Sequence, residues 1–368
     1  MLLLSALAIG GYTNARLRRD FVDFEVYHTA GERVRHAEPL YRDDDGHFQY
    51  KYLPAFALAM VPFTYGDIER AKPVWFALSV GLLVWFYQQA VTLLPSRRLR
   101  PWVLYVWLVP LGAKFITKEL VNGQSNVLLG VLMMTTLAAV LHQRPRWAGV
   151  ALAAAVFVKP YALVMAPWLV VAAPLEASVS FAGAMLVGLL LPVPIYGWSG
   201  NLALLAGWWH GVTSTTAPNL LMRDAVSLAA MWAKWIGVGA RASALALASA
   251  VVLGIVPVTV WLRRQRVAAP AFLEVALLLL MVPLLSPQGW DYVLLLGLPA
   301  IACLIDRFQD VTMPWRIATA VAIFLTCLLS YDTVGQRAYM QVTTYAIVSV
   351  GALMAVAMLA RLRLHALA

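Results

Sequence analysis

Charge and cysteine are both scarce in this sequence. Charged residues occupy 12% of 368 positions, against roughly 25% in ordinary soluble domains. With 62% hydrophobic residues, too little polar sequence is left to clothe a separate soluble catalytic domain. The two cysteines, Cys303 and Cys327, both lie inside apolar runs. That excludes a disulfide framework and a cysteine-based metal site, and leaves core packing. Acid is scarcer than base, 18 Asp and Glu against 28 Lys and Arg, for a net charge of +10. The basic residues are not gathered with aromatics on one face, so nucleic acid is excluded as a partner.

What the sequence has in abundance is long apolar runs. About twenty such residues cross a hydrocarbon core as a helix. Candidate spans are 1–15, 73–94, 101–117, 125–141, 147–173, 178–196, 243–262, 270–285, 291–305, 316–331 and 341–360. They predict an all-α, polytopic integral membrane protein with about 11–13 membrane helices. The run 1–15 would rise only roughly 22 Å, and basic residues follow it, so a cleavable signal peptide is not expected. The run 53–65 is too short to span and predicts a half-helix. The run 147–173 holds Pro160 and Pro167; it is either one kinked span or two half-helices meeting near Lys159.

Arginine clusters at 97–100, 144–146, 263–266 and 361–363 mark cytoplasmic loops. The outer face then collects 20–50, 197–223 and 286–291, all within a single transmembrane domain, 1–368. The RLRR at 16–19 falls on the wrong side for this scheme, and the topology of residues 1–96 stays open. Eight of the eighteen acids lie between Asp20 and Asp45, in a loop with some helical spacing (Phe24, Tyr27, Val34). The loop 197–223 is rich in Trp and Asn, which suits an interface.

Five places carry possible chemistry. Asp23 heads DFEVYH where the chain leaves its first apolar run; a carboxylate there suits a general base for a hydroxyl, with a solvated acid or helix cap as the plain alternative and Asp20 as competitor. Gln124 and Asn126, in NGQSN, suit sugar hydroxyls or simple capping, and Lys118 and Glu119 just before them suit pairing with each other. Lys159 sits among apolar residues, where an ionisable group is costly and faces a cavity or partner; it suits an anionic phosphate or snorkels to the interface. SPQGWDY offers Trp290 for stacking on a sugar ring and Asp291 for its hydroxyls, or a turn with an interfacial anchor. Asp43–Asp45 contain a D-x-D spacing, but a solvated acidic run accounts for them; His28, His36 and His47 match no metal spacing.

Taken in order, DFEVYH, PLY, Tyr52-Leu53-Pro54, GQSN, KPYALVMAP and SPQGW resemble the polyprenol-phosphate-mannose-dependent α-1,2-mannosyltransferases, glycosyltransferase family 87 of the GT-C superclass. The resemblance runs from about residue 20 to 300. It implies an inverting transferase that takes a sugar from a polyprenyl-phosphate donor at the outer face and passes it to a glycolipid or glycan acceptor. It implies Asp23 as base, Lys159 and Gln124 in the cavity that binds the donor, and no cofactor or metal; beside these, Asn126 and Lys118 are expected at the donor and Tyr27, Trp290 and Asp291 at the acceptor. Members often carry histidine shortly after the Trp of the last motif, where this chain has Asp291 and Tyr292. Relatives transfer arabinofuranose as well as mannose. Two rival expectations are a lipid-linked sugar flippase or transporter, which favours inverted repeats, and a non-catalytic scaffold.

Overall fold

A computed structural model describes residues 21–267 and 269–365. The run 1–15, the basic 16–19 and Asp20 lie outside the described residues. Those described form helices and turns throughout; the β-structure among them is one bridge between Ala225 and Trp290. This is an all-α, polytopic membrane architecture.

Among the described residues, three helices are long and apolar enough to cross a membrane alone: Ile68–Thr92, Ala240–Leu262 and Ile347–Leu364. Other apolar runs are broken. Leu175–Leu190 turns by 92° into Val193–Asn219, and Met313–Leu328 by 93° into Tyr331–Thr344. Shorter apolar helices cover Pro54–Thr64, Pro145–Val158, Pro160–Ala172 and Ala271–Leu285. The 53–65 run is thus the expected half-helix. The 147–173 run takes the second of its two forms, with Lys159 extended (φ −149°, ψ 120°) between two half-helices. Pro160 is the cause: it lacks an N–H and disfavours the helical conformation in the residue before it. Much of 197–223 is helical rather than loop, since Val193–Ser214 continues past a kink at Gly197.

The chain divides into two compact units. The first comprises residues up to Phe86 and Thr117–Thr215; the second comprises Tyr87–Ile116 and Thr216 onward.

In the first unit small residues let helices approach closely. A Cβ added at Gly149 would lie 2.3 Å from the Ala177 carbonyl oxygen, and one at Gly188 would lie 2.2 Å from the Phe157 ring. The helix Val22–Arg35 lies over Pro54–Thr64, burying Phe24, Tyr27 and Val34. Each such side chain is worth about 1.5–3 kcal/mol when the alternative is water. Gly31 makes the seat possible, because a Cβ there would come 2.9 Å from Thr64.

In the second unit, every residue from Ala271 to Leu284 is buried. Glu274, wholly buried there, is held by Arg264 and by Arg363 (3.2 Å). Asp306 accepts hydrogen bonds from the Arg98 and Leu99 amides at 2.8–3.1 Å, and Arg307 bonds the Pro95 and Ser96 carbonyls. These basic loops are tied down at their own ends.

Candidate active site

Three polar segments of the first unit meet, and each is shaped by a local rule. The helix Pro101–Asn122 stops at Gly123, whose φ of +66° is left-handed. Its end is closed by the Gly123 N–H on the Leu120 carbonyl (3.4 Å) and the Gln124 N–H on the Glu119 carbonyl (2.9 Å), the usual way a left-handed cap satisfies the last carbonyls. A Cβ at Gly123 would also fall 2.9 Å from Phe24 Cβ and 3.0 Å from the Phe21 ring. Glycine therefore brings this turn against the start of the Val22–Arg35 helix. Asp23 occupies the first turn of that helix, where the dipole favours an anion. Lys159 projects from the break between its two half-helices.

One chain of hydrogen bonds joins them. Gln124 Nε2 donates to Asp23 Oδ2 at 2.6 Å. Lys159 Nζ donates to Gln124 Oε1 at 3.3 Å and to Asn126 Oδ1 at 2.6 Å. Asn126 Nδ2 donates to Glu119 Oε2 at 2.8 Å, and the Val127 N–H to Glu119 Oε1 at 2.7 Å. Asp23 is half-buried, whereas Gln124, Asn126, Lys159 and Glu119 are all buried. Lys159 therefore does not snorkel, and the Asn126 side chain is not a cap. Glu119 has both oxygens engaged across the turn.

Aromatic rings wall the network. The Tyr27 hydroxyl shares hydrogen bonds with Tyr52 (2.7 Å) and Ser125 (3.4 Å). Its ring meets Phe56 and Trp75 edge-on, and Trp75 Nε1 bonds the Gly123 carbonyl at 2.9 Å. Lys159 Nζ lies 5.6 Å from the Tyr52 ring centroid and 6.0 Å from that of Tyr161, within cation–π range. Burial pushes the Tyr27 and Tyr52 hydroxyls well above the usual tyrosine range, so both stay neutral and neither is a base. Burial lowers the Lys51 ammonium, and the negative charge of Asp23 draws it back up.

Asp23, Gln124, Asn126, Lys159 and Tyr27 are thus brought together. Lys118 is half-buried one position before Glu119; successive helical residues point about 100° apart. Trp290 and Asp291 belong to the second unit. There the Asp291 N–H bonds the Asp224 carbonyl (2.7 Å), the Val226 N–H bonds the Gly289 carbonyl (2.8 Å), and the Trp290 and Tyr292 rings stack at 6.5 Å. Asp45 is clasped by Arg33 through two bonds of 2.6 Å. No metal-holding group of three His, Cys, Asp or Glu occurs among the described residues.

Sequence reasoning did not single out Ser125 or Lys51, and it read Glu119 only as a partner for Lys118. A signal existed for Glu119. An acid in an apolar helix is as costly as a lysine, and Glu119 lies in the apolar helix Pro101–Asn122.

The model of glycosyltransferase family 87 matches residues 50–287. That span includes Gln124, Asn126 and Lys159; Asp23 precedes it and Trp290 follows it. Curated relatives include GPI mannosyltransferase 1 of Aspergillus oryzae (strain ATCC 42149 / RIB 40), 31% identical over 151 residues, 40% of this chain and 34% of that protein. GPI mannosyltransferase 1 of Aspergillus fumigatus (strain ATCC MYA-4609 / CBS 101355 / FGSC A1100 / Af293) is 32% identical over 155 residues, with the same two shares. The chain spans about a third of the length of these curated relatives.

Proposed function

Because this chain belongs to glycosyltransferase family 87, we propose that it is a membrane mannosyltransferase, moving mannose with inversion from a polyprenyl-phosphate donor to a cell-envelope glycolipid or glycan. Mannose is supported by the names of the two relatives. The polyprenyl donor is supported by chemistry: its tail stays in lipid while its sugar sits at headgroup level, within reach of an enzyme built of membrane helices.

The observation that carries the proposal is the hydrogen-bonded path from Asp23 through Gln124 to Lys159. It unites an acceptor base and a phosphate cation in one network. The Asp23 carboxylate takes the proton of the acceptor hydroxyl. The freed oxygen attacks the anomeric carbon from the face opposite the phosphate. The bond from that carbon to the phosphate oxygen breaks, and polyprenyl phosphate leaves with the electron pair. Two N–H bonds of Lys159 serve Asn126 and Gln124, which leaves a third for a phosphate oxygen. Gln124 positions the carboxylate, and Glu119 supplies the counter-charge through Asn126. By the positive-inside rule, the active site faces the outer side of the cell membrane.

Asp23→Asn keeps size and removes basicity. Its turnover should fall about a hundred- to ten-thousandfold with donor binding retained. Asp20→Asn, expressed to the same level, should lose less than about tenfold. Normal turnover by Asp23→Asn with polyprenyl-phosphate-mannose and an envelope lipid extract overturns the assignment.

A further inference from the structure

A cavity opens along the helix that carries Asp23. It measures about 220 Å³ and is lined by Val22, Glu25, Thr29, Arg33, Asp45 and Phe48 among others. Positions 22, 25, 29 and 33 recur at helical spacing, so they form one stripe. The stripe begins beside Asp23 and runs about 16 Å along the helix. The segment 43–50 forms the facing wall, fixed by the two-pronged Arg33–Asp45 pair and by Arg33 on the Leu40 carbonyl (3.2 Å). Nothing in the catalytic network uses this cavity.

Its chemistry selects a class of ligand. An anion finds no spare cation, because Arg33 is neutralised by Asp45 and the neighbouring Lys72 by Glu25 (2.7 Å) and Glu69 (2.8 Å). A hydrocarbon chain would bury ionised walls without replacing their water, which is costly. A neutral polyol meets neither difficulty. Phe48 is 54% exposed and offers an aromatic face to the C–H side of a sugar ring. Glu25 and Asp45 accept from hydroxyls, and Thr29 is exposed with its own hydroxyl making no hydrogen bond among the described residues.

We propose that this cavity is a distal acceptor subsite, which holds a neutral sugar ring of the acceptor beyond the ring that reacts at Asp23. The proposal rests on the glycosyltransferase reading for the word acceptor, but its geometry is independent of which residue is the base. The subsite makes the enzyme prefer an acceptor that already bears several sugars over a single ring.

The test is binding of linear α-linked mannotriose and of methyl α-mannoside to the full chain in nanodiscs, followed by saturation-transfer NMR titration. The trisaccharide should bind more tightly than the monosaccharide. Phe48→Ala should weaken the trisaccharide about two- to tenfold, the scale of one lost ring stacking, and leave the monosaccharide within twofold. Thr29→Val, which keeps the shape and removes the hydroxyl, should act in the same direction. Equal binding of the two sugars by the wild type, or trisaccharide affinity unchanged in Phe48→Ala, overturns the subsite. Asp23→Asn separates the two readings. Retained trisaccharide binding with lost turnover supports both, whereas normal turnover in that variant sinks the base and leaves the subsite to be decided by Phe48→Ala.

Discussion

Two buried charge clusters of this protein, one in each unit, are built in different ways. In the second unit charges close on one another: Glu274 takes Arg264 and Arg363, and Asp306 takes backbone amides with Arg307 alongside. In the first, Asp23, Lys159 and Glu119 are joined through the neutral amides of Gln124 and Asn126. A closed pair spends its hydrogen bonds on its own members, which must offset their desolvation, and has little left for a ligand. An amide relay spaces its charges apart while orienting them, and keeps hydrogen-bonding capacity for something that arrives later. Closed pairs hold a fold together; an amide relay is suited to a reaction.

The largest contrast should come from Glu274→Ala. Removing one partner of a buried ion pair costs about 3–5 kcal/mol, and here two arginines lose their partner. Thermal unfolding in detergent should show that loss, while turnover per folded molecule changes little. Next, Lys159→Ala should reduce use of the donor about ten- to a hundredfold, the cost of a lost charged hydrogen bond of about 1.5–3 kcal/mol, with Lys159→Arg recovering part. If Lys159→Ala instead unfolds like Glu274→Ala and keeps its kinetics, the two networks are of one kind and the contrast is broken. A smaller effect belongs to Gln124→Leu, which removes the amide that orients Asp23. Turnover should fall about tenfold, with the KM for donor nearly unchanged, since a positioning residue acts on kcat.

The smallest effect is a pH dependence. Burial lowers the His28 pKa, with Glu32, Glu25 and Asp67 pulling the other way. The unfolded chain then binds more protons than the folded one between that lowered value and about 6.5. Stability should therefore decline as pH falls through this window. Melting at pH 5 and pH 7.5 should show a slope that His28→Asn flattens.

The sequence showed these two kinds of charge unequally. Lys159 stood out because its neighbours are apolar for more than a turn on either side, so its cost was visible along the chain. Glu119 bears the same cost, yet an adjacent Lys118 offered a local partner and hid it. The true connection passes through Asn126 across a reversal at Gly123, and no period along a helix reports a reversal. The fold behaved alike. Apolar runs marked the helices, and Pro160 marked a break. Whether 147–173 bends or divides depends on what receives the freed backbone and the lysine, which is tertiary information. The stretch 197–223 looked like a loop because Trp, Asn and Gly interrupt its apolar character, whereas an interfacial helix tolerates all three.

Gly123 has a further implication for how the family varies. Its missing side chain is filled by Phe21 and Phe24, so the turn and the helix bearing Asp23 are fitted to each other as one surface. A lineage that replaces either ring by a smaller residue opens a gap behind the Gln124 amide, and one that adds a side chain at 123 must shrink a ring to make room. Positions 21, 24 and 123 should therefore drift together among relatives, as a correlated trio, while Asp23 between them stays put.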